Sequence, residues 1–214
     1  TDLDGDGDTD VLSASWNDDK IAWYDSDGGS PPSFTERVIS TAADGARSVF
    51  ATDLDGDGDT DVLSASYEGD KIAWYESNGG SPPSFTERVI STAADGANSV
   101  FATDLDGDGN TDVLSASAVD DKIAWYESDG GLPPSFTERV ISTAADGAAS
   151  VFATDVDGDG DTDVLSASTV DNKIAWYEQL PPIPTVSEWG LVTMTLLVLA
   201  AGTMVIRRRR ATAA

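Results

Sequence analysis

The chain has 214 residues, room for one sizeable domain or two small ones, and carries 39 acidic against 12 basic residues, a formal charge of −27. That balance argues against a nucleic-acid partner, whose phosphates need Lys and Arg to replace their counterions, and for bound cations, because crowded carboxylates repel unless a counterion lies between them. With no Cys and no His there is no disulfide framework, no thiolate metal site and no Ser-His-Asp arrangement.

The acid is bunched. Nineteen of the 39 acidic residues fall in four nine-residue segments opened by Asp2, Asp53, Asp104 and Asp155, each 51 residues after the last. A fixed period of that length marks a repeat architecture. In chain order, one period predicts four short strands: Ser99–Thr103 before the third acidic loop, Asp112–Ser117 after it, then Lys122–Tyr126 and Phe136–Ile141. All are rich in β-branched and aromatic residues and are bounded by turn formers. The run Gly79–Pro83 is a strong breaker. No period contains a ten-residue stretch with helical spacing.

Four antiparallel strands per repeat predict an all-β fold of β-propeller blades over residues 1–178. A β-sandwich cut from the same strands is the alternative, although sandwiches rarely repeat at a fixed period. If the acidic loop joins a blade's first two strands, the first blade lacks its first strand. The last blade stops after Lys173–Tyr177 and lacks its fourth. Two complete and two broken blades should not close, so the expectation is an incomplete propeller whose further blades are encoded upstream.

The first loop reads Asp2-Leu3-Asp4-Gly5-Asp6-Gly7-Asp8-Thr9-Asp10. Carboxylates at positions 1, 3, 5 and 9 with Gly at 6 suit a wrapped calcium loop. Calcium takes six to eight oxygens, and alternate side chains converge only where the backbone turns sharply at a residue without a Cβ. Position 7 normally offers its carbonyl, and its side chain varies (Asp8, Asp59, Asn110 and Asp161) while positions 1, 3, 5 and 9 are Asp in all four loops. A helix–loop–helix hand would need Glu at position 12; here that position is Ser13, Ser64, Ser115 and Ser166, inside a predicted strand. Magnesium is the other hard cation to consider, but it prefers fewer protein ligands and more water.

These loops, with the following Val-Leu-Ser-Ala-Ser and Lys-Ile-Ala-Trp-Tyr-Glu, resemble the FG-GAP or VCBS repeats of bacteria, which are similar to the blades of the integrin α-subunit propeller. The resemblance covers Asp2 to Glu178. It implies calcium, about four ions, held by Asp2, Asp4, Asp6, Asp8 and Asp10. The matching sets are Asp53, Asp55, Asp57, Asp59 and Asp61; Asp104, Asp106, Asp108, Asn110 and Asp112; and Asp155, Asp157, Asp159, Asp161 and Asp163. It also implies a surface protein, an adhesin or an accessory part of a larger enzyme.

Alternating strand direction puts the acidic loops and the Gly-Gly-Pro-Pro turns on one face of the disc. The copies differ mostly on the other face: Trp16-Asn17-Asp18 becomes Tyr67-Glu68-Gly69, then Ala118-Val119-Asp120 and Thr169-Val170-Asp171, while Arg47 becomes Asn98 and Ala149. Recognition by surface loops and drift of recently duplicated copies both account for this. The tryptophans at 23, 74, 125 and 176 are expected to pack between blades rather than to stack on sugars.

After Glu178 the repeat stops. Residues 179–188 form a Pro-rich linker, and 189–206 give 18 uncharged residues, about 27 Å as a helix, enough for a thin bilayer. Arg207–Arg210 in the 207–214 tail predict a cytoplasmic end with the repeats outside. The stretch Ile183, Pro184, Thr185, Val186, Ser187, Glu188, Trp189 and Gly190 resembles the IPTL-CTERM sorting signal, related in plan to PEP-CTERM tails, with Val186 where Leu is usual. That resemblance implies an exosortase-like partner in a Gram-negative bacterium and removal of the tail.

Three functions compete: a non-enzymatic calcium-stabilised surface module for adhesion or display of a glycan or protein ligand; a polysaccharide-active enzyme; and a structural propeller portion of a larger surface protein. The near-identical copies offer no unique constellation of paired carboxylates, so the reading assigns no catalytic residue and no organic cofactor.

Overall fold

The structure, a computed structural model, describes residues 1–179, one compact unit. Its strands are β1 (Val11–Ser15), β2 (Lys20–Ser26), β3 (Phe34–Ser40), β4 (Ala46–Thr52), β5 (Asp61–Ser66), β6 (Lys71–Ser77), β7 (Phe85–Ser91), β8 (Ala97–Thr103), β9 (Asp112–Ser117), β10 (Lys122–Ser128), β11 (Phe136–Ser142), β12 (Ala148–Thr154), β13 (Asp163–Ser168) and β14 (Lys173–Tyr177). They form four antiparallel sheets of three, four, four and three strands, each built from consecutive strands: β1–β3, β4–β7, β8–β11 and β12–β14. The second and third sheets are the complete repeats that the sequence predicts, and the outer two lack the strands expected to be missing. No helix is present among the described residues, and the sheets do not close into a barrel. The predicted spanning segment 189–206, the basic tail 207–214 and the motif residues Ile183 to Gly190 lie outside the described residues.

The register explains the packing. In the second sheet Leu63 pairs with Trp74 and Ala65 with Ile72, while Val62 pairs with Tyr75 and Ser64 with Ala73. Side chains alternate across a strand, so the first four share one face and the second four the other. The Leu/Ala/Ile/Trp face clusters with Val100, Ala102, Val113, Ala124 and Tyr126 of the third sheet. The Val/Ser/Ala/Tyr face meets Ile21 and Trp23 of the first. Each middle sheet is therefore covered on both sides, and β5 and β9 are buried at every position. Trp23 and Trp74 are core residues between sheets, as expected; Trp176, in the last sheet, is exposed.

Consecutive sheets are tied by polar contacts as well. Lys71 Nζ donates to the Ala42 carbonyl of the preceding repeat (3.0 Å) and pairs with Glu87 (2.6 Å). Lys122 repeats this with Ala93 and Lys173 with Ala144 (both 2.6 Å). Phe50, Phe101 and Phe152 form a row with ring centroids 4.9 and 4.8 Å apart.

Candidate metal centres

Each acidic loop is wound by its own carboxylates. In the second repeat both oxygens of Asp53 accept backbone N–H groups, from Gly56 (2.7 Å) and Gly58 (3.0 Å). Asp55 Oδ1 accepts from Asp57 N (3.2 Å), and Asp57 Oδ1 from Asp59 N (2.8 Å). Gly58, at position 6, has φ of 96°, a conformation L side chains rarely adopt. The turn therefore needs glycine for its backbone, since nothing crowds the place of a Cβ.

Winding brings positions 1, 3 and 5 together. Asp2, Asp4 and Asp6 each present one carboxylate oxygen within 4.8 Å of the others, as do Asp53, Asp55 and Asp57, and Asp104, Asp106 and Asp108. In the fourth repeat the converging group is Asp155, Asp157 and Asp163. Two oxygens bound to one calcium at about 2.4 Å lie at most about 4.8 Å apart, so the spacing fits that ion. Each oxygen already holding an N–H keeps a lone pair for a cation.

Position 9 has a second task. Asp61 is buried, its Oδ2 accepting from Leu54 N (3.1 Å) and its Oδ1 from Ser77 N (2.8 Å). It thus pins the loop to the end of β6. Asp112 does the same through Leu105 and Ser128, and Asp10 through Leu3 and Ser26. These bonds carry β2, β6 and β10 on to Ser26, Ser77 and Ser128, two residues beyond the tyrosine at which the sequence reading ends the third strand. Position 7 meets the neighbouring turn: a Cβ on Gly79, whose φ is 63°, would lie 2.2 Å from Asp59 Oδ2. The acidic loops and the glycine turns do share one face. Sequence reasoning missed both contacts; a Gly at a constant offset from the variable position in the first three copies, Gly28, Gly79 and Gly130, was the available signal for the second.

Burial pushes Asp61 up to about 6, above the ordinary carboxylate value of 3.8 and against its two amide bonds. Burial also raises Asp112. Asp4, Asp55 and Asp106 are raised first by burial and then by neighbouring carboxylates, chiefly Asp6, Asp57 and Asp108. Asp163, at the same place in the last sheet, is lowered by the Val156 and Gln179 amides. There the two amide bonds outweigh desolvation by burial. In metal-free protein the folded chain holds a proton on Asp61 up to pH of about 6, the unfolded chain only to about 4. Stability from this group is thus present at low pH and lost as pH rises through 6. Melting the chelator-treated chain at pH 7.5 and 5 should show Tm higher at pH 5, on the order of 5 °C. With calcium bound the sign should reverse, because protons then compete with the ion.

On the opposite face, the guanidinium of Arg47 lies over the rings of both Trp16 (4.4 Å) and Tyr67 (4.2 Å), which themselves pack 5.3 Å apart, and donates to Asn98 Oδ1 (2.6 Å). The structure brings these variable residues of different repeats into one contact.

A comparison with curated proteins finds no match. A model of the IPTL-CTERM motif matches residues 181–210, which implies an exosortase-like sorting system and points to an exported, membrane-anchored protein. A model of the FG-GAP-like repeat matches three overlapping spans, residues 2–64, 53–115 and 104–166, each running from one acidic loop through the next. Together they cover most of the chain, with the loops and sheets described above at their centre; the chain belongs to the FG-GAP-like repeat family.

Proposed function

We propose that the protein is a non-enzymatic, calcium-stabilised surface module for adhesion or display, built of propeller-type blades and anchored through its C-terminal segment before sorting. The observation that carries this reading is the convergence of three carboxylates in each repeat, within the span of one calcium coordination sphere. The ligand set is the full one the family pattern implies, with positions 1, 3, 5 and 9 through carboxylates and position 7 through its carbonyl. Calcium there neutralises a cluster that otherwise repels itself, and it fixes the loops on which the sheets' first turns depend.

Recognition is assigned to the opposite face. Trp16, Arg47 and Tyr67 break the repeat symmetry there and offer aromatic edges and a cation to a glycan or protein ligand. The segment 189–206 is read as the membrane span, with Arg207–Arg210 inside and the repeats outside.

Glycan and protein arrays probed with the full chain in detergent test this. Binding that needs calcium and falls at least about tenfold on Arg47→Ala is expected, as for loss of a cation–π anchor. Turnover of a glycan or ester, abolished by changing one residue, would contradict it.

A further inference from the structure

Among the asparagines of the chain, Asn78 alone is followed by glycine, and it stands where the neighbouring repeats have Asp27 and Asp129. All three residues hold the same turn. Asn78 Oδ1 accepts the backbone N–H groups of Gly80 (3.1 Å) and Ser84 (2.9 Å). Asp27 Oδ1 takes those of Gly29 (3.0 Å) and Ser33 (2.8 Å), and Asp129 Oδ1 those of Gly131 (2.9 Å) and Ser135 (2.8 Å). The Ser33 and Gly29 amides keep the Asp27 carboxyl below its ordinary value, and the Ser135 and Gly131 amides do the same for Asp129, because a hydrogen bond to the charged form favours it. The turn suits a carboxylate, and in the second repeat an amide occupies it.

An amide in that place lies next to its own nucleophile. Attack of the Gly79 nitrogen on Asn78 Cγ closes a succinimide ring, and the charge that develops falls on Oδ1, where two N–H groups already point. Donors set in advance at the oxygen that gains charge form an oxyanion hole. Gly79 has no Cβ to shield the attacking nitrogen, and both residues are exposed, so ammonia has an open path out. The Gly79 N–H donates to Ser77 Oγ (3.3 Å), a route for its proton to solvent.

We propose that Asn78 is a self-modification site, which deamidates in the folded chain to aspartate and gives the second repeat the carboxylate that its neighbours carry. The bond from Gly79 N to Cγ forms as the Gly79 proton leaves through Ser77 Oγ to water, and Nδ2 takes a proton from water and departs as ammonia. Water then adds to Cγ, the bond from Cγ to Gly79 N breaks, and that nitrogen recovers a proton. Water is consumed, ammonia is released, and nothing is oxidised. A free succinimide opens at either carbonyl, at Cγ to aspartate or at the backbone carbonyl to isoaspartate. Here Gly80 and Ser84 polarise the Cγ carbonyl, so the same donors direct opening to aspartate. The new charge lies on the turn that meets Asp59, whose Oδ2 is 2.2 Å from the place of a Gly79 Cβ. No ion takes part, so the inference stands apart from the metal reading.

Full chain in detergent is aged in warm neutral buffer, digested and mapped by mass spectrometry, with electron-transfer fragmentation to separate aspartate from isoaspartate. A second sample ages in concentrated urea, where the turn is lost. In the folded chain Asn78 should convert at least about tenfold faster than Asn98 or Asn110, and aspartate should exceed isoaspartate at least about tenfold, since one oxyanion donor is worth that or more. In urea isoaspartate should predominate. An Asn78 that stays intact while Asn98 or Asn110 converts, or one product ratio in both samples, would overturn the proposal.

Discussion

Removing calcium should lower the melting temperature of the full chain by roughly 20 °C or more. At a free concentration of 100 times Kd each site contributes about 2.7 kcal/mol, so four sites give about 11 kcal/mol. For a folded unit of this size, each kcal/mol moves Tm by about 2–4 °C. The physical origin is local: three carboxylates converge within 4.8 Å in each loop, and without an ion they push one another apart. The loop also sets the pairing of the strands it joins, since Asp53 holds its turn and Asp61 ties it to β6. Circular dichroism melts with calcium and with chelator measure the effect. A Tm that ignores the chelator would remove the metal from the account.

Trp74→Ala should destabilise the fold by about 3–5 kcal/mol, the usual cost of deleting a large buried side chain and leaving a cavity. Trp74 is fully enclosed between the second and third sheets, in a cluster with Leu63, Ile72, Val100 and Tyr126. Trp176→Ala, the same change at the same place in the last sheet, should cost less than about 1 kcal/mol in the monomer, because the side chain is half in solvent. Denaturant titrations of both variants, at a concentration where the chain is monomeric, give the comparison. Equal losses would mean that the last sheet's face is covered in solution and that stacking between sheets is not what buries these tryptophans.

Much of this fold was legible because the repeat is nearly unchanged from copy to copy. The β-branched and aromatic residues of Asp61–Ser66 and Lys71–Tyr75, bounded by turn formers, specify strands, and the structure forms strands there. The acidic loop was legible for a related reason: Asp at alternate positions with Gly at the turn has few other uses. What the sequence did not show were contacts made across turns and between repeats. Nothing in the spacing says that Asp61 takes the Ser77 amide, and only the constant offset of Gly28, Gly79 and Gly130 from position 7 marks the place where Gly79 makes room for Asp59. The Trp16–Arg47–Tyr67 cluster joins residues from different repeats and exists only where sheets one and two meet. Such contacts depend on how sheets are placed, which periodicity within one strand cannot encode.

The central claim is that each acidic loop holds one calcium ion, and a calorimetric titration of the metal-free full chain tests it most directly. The account predicts saturation at about four ions per chain, and about three for the Asp57→Ala chain, since each loop supplies its own ligand set. A titration with no heat from calcium, or a stoichiometry that Asp57→Ala leaves unchanged, would contradict it.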